Sequence, residues 1–141
     1  MIIDRVHNQK DKVIALLIAE KLPVSDLPAD LDNFLVAMID DEVVGVAGLE
    51  IYGTYGLLRS LAVNQDHRGK GIGGELLKDI EGLATLNHLI EVYLLTETAP
   101  EYFNRKGYMK IIRGDVPVEV QQSSGFSHVC PQSAIVMKKI I

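Results

Sequence analysis

Leu57-Leu58-Arg59-Ser60-Leu61-Ala62-Val63-Asn64-Gln65-Asp66-His67-Arg68-Gly69-Lys70-Gly71-Ile72-Gly73-Gly74-Glu75-Leu76-Leu77 runs from an apolar strand through a glycine-rich loop into an amphipathic helix. Glycines at 69, 71, 73 and 74 lack the Cβ atoms that would hold a ligand away from the main chain, so successive N–H groups can face one anion. The positive end of the helix dipole lies at the same point, and the first-turn N–H groups need partners. Arg68 and Lys70 add fixed charge. The stretch therefore reads as a pyrophosphate cradle.

Gly69, Gly71 and Gly74 also satisfy G-x-G-x-x-G, the dinucleotide pattern, with Glu97 standing as a ribose-binding acid. In that pattern the glycines form the strand-to-helix turn itself, whereas here five polar residues, Asn64 to Arg68, separate Val63 from Gly69. The phosphate loop of nucleotide triphosphatases fails too, because no Gly-Lys-Ser/Thr closes the loop. What matches is Arg-x-x-Gly-x-Gly, at Arg68, Gly71 and Gly73, after a strand written Leu61-Ala62-Val63. In these residues the chain resembles the GNAT superfamily of acetyl-CoA-dependent N-acyltransferases. The resemblance implies that the loop holds the coenzyme A pyrophosphate, with acetyl-CoA as co-substrate.

The 141 residues are expected to form a single domain, 1–141, large enough to bury a core. An apolar content of 48% with 23% charged residues suits a soluble fold without a membrane span. The opening Met1-Ile2-Ile3-Asp4-Arg5 is unlike a secretory signal, and the one cysteine, Cys130, allows no intrachain disulfide. A cytoplasmic location is the expectation. A net charge of −5 argues against a nucleic-acid partner, so the cations that meet an anionic coenzyme must be local: Arg68, Lys70 and the pair Arg105-Lys106.

The pattern predicts a strand over residues 2–6, then a helix capped by Asn8, with Val13, Leu16 and Leu17 inside and Pro23 as its stop. Strands over 33–39, 43–51 and 57–63 read as antiparallel hairpins. Leu76, Leu77, Ile80, Leu83 and Ala84 give the helix after the glycine loop an apolar stripe. Strands over 90–95, 108–112 and 134–140 and short helices over 100–106 and 115–123 complete the order. The fold class is α/β, a mixed sheet with an antiparallel N-terminal half and flanking helices. This order resembles the GNAT fold over nearly the whole chain. The resemblance implies parallel central strands that splay apart, leaving main-chain groups of Leu61, Ala62 and Val63 to pair with the amide-rich pantetheine arm.

The resemblance further places Arg68, Gly69, Lys70, Gly71, Ile72, Gly73 and Gly74 at the pyrophosphate, and Thr96, Phe103 and Arg105 along the coenzyme. Phe103 departs from a common family pattern, which has tyrosine four residues before the glycine of the Gly107-Tyr108 dipeptide. Tyr102 is adjacent, but on a helix it points about 100° away.

Glu50 and Arg59 are the remaining charges in apolar runs. If the intervening turn centres between Thr54 and Tyr55, antiparallel register sets them opposite one another. Two readings stay open. They are a cross-strand ion pair with no further duty, or Glu50 takes the proton of the acceptor amine while Arg59 grips an acceptor carboxylate bidentately. Ser60 points to the other face as an ordinary strand residue.

His128 and Cys130 lie in a polar stretch and lack the spaced partners of a metal site, so no metal is expected. Gly48-Leu49-Glu50, Leu57-Leu58-Arg59-Ser60, Thr96-Glu97-Thr98-Ala99 and Cys130-Pro131-Gln132-Ser133-Ala134 are similar to a smaller GNAT branch. It comprises bacterial amino-acid N-acetyltransferases and acetyltransferases encoded with arsenic-resistance genes. That likeness implies a small amine acceptor related to an amino acid, an arsenical included, and is compatible with a homodimer.

Overall fold

The structure is a computed structural model that describes residues 1–123, 126 and 133–141. Among these, β1 (Ile2–Arg5), β2 (Phe34–Ile39), β3 (Glu42–Tyr52), β4 (Tyr55–Val63), β5 (Glu91–Thr96), β6 (Met109–Lys110) and β7 (Ile135–Ile140) make one sheet in the order β1-β2-β3-β4-β5-β7-β6. The pairs from β1 to β4 are antiparallel, β4 and β5 are parallel, and β7 returns antiparallel between β5 and β6. This is the mixed sheet expected from the order of apolar runs.

Turn chemistry fixes the register. Asp40 and Asp41 both take positive φ, the two-residue geometry that matches the twist of a hairpin, and so Ile39 pairs with Glu42. At the next hairpin Gly53 takes φ 64°, and the turn centres on Gly53-Thr54, with Tyr52 opposite Tyr55. That is one residue earlier than the sequence reading placed it. Glu50 therefore faces Leu57, and Arg59 faces Gly48.

Further along, β4 carries one residue more than β3. Gly48 pairs with Arg59 but Val46 pairs with Ala62, and Ser60 sits at φ 59° in the left-handed region. A β-bulge of this kind switches the side-chain alternation. Leu57 and Arg59 share one face, and beyond the bulge Ala62 takes that face, packing with Val46 and Phe34. Leu61 and Val63 turn to the opposite core. Ser60 is thus no ordinary strand residue, as the uninterrupted period-two reading had it.

Four helices cover the sheet among the described residues: α1 (Lys10–Ala19), α2 (Ile72–Leu86), α3 (Pro100–Arg105) and α4 (Val118–Gln121). α1 buries Val13, Leu16 and Leu17 against Phe34, Val36 and Val46. Its N-cap is Gln9, without a side-chain cap bond, rather than Asn8, and it ends at Ala19, before the proline. α2 buries Ile72, Leu76, Leu77, Ile80, Leu83 and Ala84 against Leu49, Leu58, Leu94 and Tyr108 on the other face. Those positions recur every three or four residues, the stripe that a sheet-covering helix needs. No helix among the described residues is long and apolar enough to cross a membrane.

Candidate functional site

β4 and β5 pair only at their starts, from Tyr55 opposite Glu91 to Leu57 opposite Tyr93. Beyond that point β4 runs on to Val63 and β5 to Thr96 with no bonds between them. The parting opens a cavity of about 740 Å³ walled by Leu58, Arg59, Ser60 and Leu61 on one side and Leu94, Leu95 and Thr96 on the other. Main-chain N–H and C=O groups on the inner edges are left for a ligand, and an extended chain bearing amides can take their place in the ladder. A narrower groove of about 350 Å³ continues along Leu61, Ala62 and Val63 to Arg68.

At the end of that groove lies the glycine loop. Gly69 and Gly71 sit at φ 80° and 79°, and a Cβ built on either meets no atom within 4 Å. The space is open on the loop's outer side. Gly71 is the N-cap of α2 and no side chain caps the helix, so its first-turn N–H groups face outward. Ile72 anchors the loop by burying its side chain in the α2 core, while Gly73 and Gly74 admit close approach. The ammonium of Lys106 lies 3.3 Å from the position of a Cβ on Gly74, adding a cation at the helix terminus. Lys70 Nζ is 3.2 Å from His67 Nδ1. Arg68 is exposed and ion-paired with Glu20, the C-cap residue of α1. An open cradle of N–H groups, a helix N-terminus and nearby cations fit a diphosphate.

Of the remaining residues expected along the coenzyme, Thr96 is buried and its Oγ1 accepts the N–H of Ala99 at 3.1 Å, bracing the turn into α3. Phe103 is buried and lines the cavity. Tyr102 also lines it, contrary to the helical-wheel reading, and its hydroxyl lies 3.4 Å from the position of a Cβ on Gly73, toward the start of α2. Burial raises the Tyr102 phenol above its usual range, and the charge of exposed Arg105 works against that shift.

The charged cluster at the other end differs from the expected pair. Arg59 Nη1 donates to Glu50 Oε2 at 2.7 Å, although the two residues are not opposite one another. Each lies on the same face, one strand position pair apart, and the contact runs on the diagonal. A second carboxylate is present. Asp26 accepts from Arg59 Nη1 at 2.9 Å and from Nη2 at 2.8 Å, a bidentate grip, and Arg59 Nε donates to Ser60 Oγ at 3.0 Å. The side chains of Arg59, Asp26 and Glu50 are 11%, 5% and 15% exposed. The fork expected to hold an acceptor carboxylate is therefore occupied by Asp26, and one Nη2 N–H remains without a partner among the described residues.

Glu50 also accepts from the Tyr52 hydroxyl, whose pKa burial and that bond push upward. Its side chain borders a separate pocket with Asp26, Asp30 and Asp32, not the cavity between β4 and β5. Two carboxylates against one guanidinium leave the cluster net negative, which favours an approaching ammonium.

Asp26 and Glu20 had no sequence signal beyond being acidic residues in or near a loop. His128 and Cys130 fall outside the described residues. Among the described residues no three His, Cys, Asp or Glu side chains gather to hold a metal ion.

A family model described as "Acetyltransferase (GNAT) domain" matches residues 30–110. An amino-acid acetyltransferase of Ralstonia nicotianae is 28% identical over 81% of this chain, and the chain spans 25% of that relative's length. The fold is similar to the crystal structure of Rv2747 from Mycobacterium tuberculosis in complex with CoA and NLQ, at TM-score 0.82 and 21% identity, covering 100% of this chain and 99% of that one. It is also similar to N-acetylglutamate synthase from Neisseria gonorrhoeae complexed with coenzyme A and N-acetyl-glutamate, at TM-score 0.83 and 16% identity, covering 99% of this chain and 35% of that one.

Proposed function

Because the chain belongs to the GNAT acetyltransferase family, we propose that it moves the acetyl group of acetyl-CoA to the amine of a small, amino-acid-like acceptor. The observation that carries this reading is the parting of β4 from β5 beyond Leu57 and Tyr93, next to a glycine cradle whose outer side is sterically open. Acetyl-CoA supplies an activated acyl thioester. The chain's own residues do the rest.

The 68–74 loop and Lys106 hold the pyrophosphate, and the free edge of β4 at Leu61, Ala62 and Val63 holds the pantetheine amides through main chain. An N–H of the same edge polarises the acyl carbonyl, which sits beside the bulge at Ser60. Holding the thioester and the amine together supplies much of the rate, since orientation is worth about 7–11 kcal/mol in favourable cases. Phe103 has no proton to give, and a thiol of pKa near ~8.5 leaves tolerably as thiolate at neutral pH.

The net-negative Asp26–Arg59–Glu50 cluster draws the acceptor ammonium in. Glu50 receives the amine proton through water, because its side chain borders the acidic pocket and not the cavity that takes the thioester. Arg59 contributes one donor, its remaining Nη2 N–H, to an anionic group on the acceptor. The donor that Asp26 and Glu50 leave over on Arg59, and the amino-acid acetyltransferase among the relatives, support an amino-acid-like acceptor, an arsenical analogue among them.

The test is thiol release from acetyl-CoA against free amino acids, aminophosphonates, arsenical amino acid analogues, polyamines and peptide amines. Turnover confined to the small anionic amines is the expected result. Coenzyme binding without turnover on any amine would make the chain a binding module, and a preference for peptide amines would overturn the acceptor class.

A further inference from the structure

The segment between α1 and β2 is fastened to β4 and its following loop at two points. Asp26 grips Arg59 where both side chains are nearly inaccessible. Glu20 meets Arg68 where the carboxylate is 13% exposed and the guanidinium 59%. The second fastening is the one a ligand can reach.

Glu20 is poorly placed for α1. It is the C-cap, where the helix's unpaired carbonyls already concentrate partial negative charge, and the last turn carries no basic residue. Among the described residues its one ion-pair partner is Arg68. Glu20 also borders both the cavity between β4 and β5 and the groove that joins it to the glycine loop, alongside Leu61, Val63 and Arg68. A carboxylate that costs the helix something is therefore held on the path of an anionic ligand, on the arginine that opens the 68–74 loop.

We propose that Glu20 and the coenzyme pyrophosphate compete for Arg68, so that Glu20 sets coenzyme affinity. This rests on the reading of the 68–74 loop as the pyrophosphate site. In the free protein Arg68 is neutralised by Glu20. On binding, the guanidinium exchanges one carboxylate for phosphate oxygens, which offer it charge-assisted bonds at least as strong. Glu20 is released at the rim of the cavity, and the segment from 20 to 26 stays fastened through the buried Asp26–Arg59 pair. Glu20 is a positioning residue in this scheme and touches no reacting atom.

The experiment is calorimetric titration of CoA into the native chain, Glu20→Gln, Glu20→Asp, Arg68→Met and Glu20→Gln/Arg68→Met, each first checked by thermal unfolding. Glu20→Gln should tighten CoA by about two- to fivefold, the scale of an ion pair with one exposed partner. Glu20→Asp, which keeps the charge but withdraws it from Arg68, should move affinity the same way. In the Arg68→Met background, Glu20→Gln should change nothing. An unchanged affinity in Glu20→Gln overturns the proposal. An equal gain with and without Arg68 overturns it too, since it would report plain repulsion between Glu20 and the ligand. If a folded Gly71→Asn chain binds CoA as tightly as the native one, the loop reading itself fails, whatever Glu20 does.

Discussion

Arg59 reaches Glu50 across a diagonal: Glu50 pairs with Leu57, Arg59 pairs with Gly48, and the guanidinium spans the offset to make its 2.7 Å contact. Gly48, opposite Arg59, leaves room for the buried ring of Phe34, which a Cβ there would meet. Asp26 then closes the guanidinium from a loop that has no strand neighbour to position it. The cluster is thus a join between the sheet and the segment leading from α1, and its energetics bear on both stability and turnover.

Glu50→Gln keeps the size of the side chain and its capacity to accept from Tyr52, while removing the proton acceptor. The expected outcome is a fall in kcat with CoA affinity essentially unchanged, measured by steady-state kinetics and titration on one preparation. Undiminished turnover would reduce Glu50 to half of a structural pair.

Gly48→Ala should destabilise the fold. A Cβ there would lie 2.4 Å from Cε2 and 2.5 Å from Cζ of Phe34, whose ring is buried beneath α1. Overpacking of this kind costs about 1–3 kcal/mol. Urea denaturation reads the loss, and Phe34→Leu in the same chain should restore part of it. A double variant no more stable than Gly48→Ala would locate the cost elsewhere.

At Gly71 two effects must be separated. Valine is strained at φ 79° whatever the space, so Gly71→Val would confound backbone strain with steric blockade. Asparagine tolerates that conformation better. Gly71→Asn should unfold close to the native temperature yet bind CoA at least tenfold more weakly, on the order of the loss of one or two charge-assisted bonds. Native affinity in a folded Gly71→Asn chain would remove the cradle from the 68–74 loop.

Element order, the two hairpins, the stripe on α2 and the glycine loop were legible because each is written in local periodicity or turn chemistry. The Glu50–Arg59 contact was legible too, but for the wrong geometric reason. Gly53, by accepting positive φ, pulled the turn back by one residue, and the diagonal restored the meeting. The bulge at Ser60 was not legible, since serine carries no signal for the left-handed region and the alternation on either side of it is regular. Asp26 and Glu20 were invisible for a different reason. Their partners lie 33 and 48 residues away, and only the packing of α1 on the sheet brings them together.

Away from the site, Glu91 provides an acid-stability test. The Lys138 ammonium at 2.9 Å holds its carboxyl below the usual carboxylate range; burial opposes this and the Tyr93 hydroxyl assists. A carboxylate depressed in the folded state stabilises above its unfolded pKa and loses that contribution as pH falls through the folded one. Glu91→Gln should therefore cost about 0.5–1 kcal/mol at neutral pH, and the difference should disappear once acid protonates the folded carboxyl. A gap between the two unfolding curves that stays constant from neutral to acid would acquit the ion pair.

Arg59 is the decisive residue for the acceptor, and its simplest deletion is a poor test. Arg59→Met leaves Asp26 and Glu50, 5% and 15% exposed, without a cation, a loss on the order of 3–5 kcal/mol that threatens the fold itself. Arg59→Lys keeps the charge between the two carboxylates, but its three donors are consumed by them and nothing in it reproduces the spare N–H of the guanidinium fork. The lysine variant should fold, bind CoA as before, and lose the distinction between an amino acid and its carboxamide. Native protein should favour the carboxylate by about 1.5–3 kcal/mol in kcat/KM, the scale of a hydrogen bond to a charged group. Equal discrimination by the native chain and Arg59→Lys would sink the assignment. Arg59 would then be the counter-ion of Asp26 and Glu50 alone, and acceptor recognition would fall to the acidic pocket at Asp30 and Asp32, which selects for positive charge.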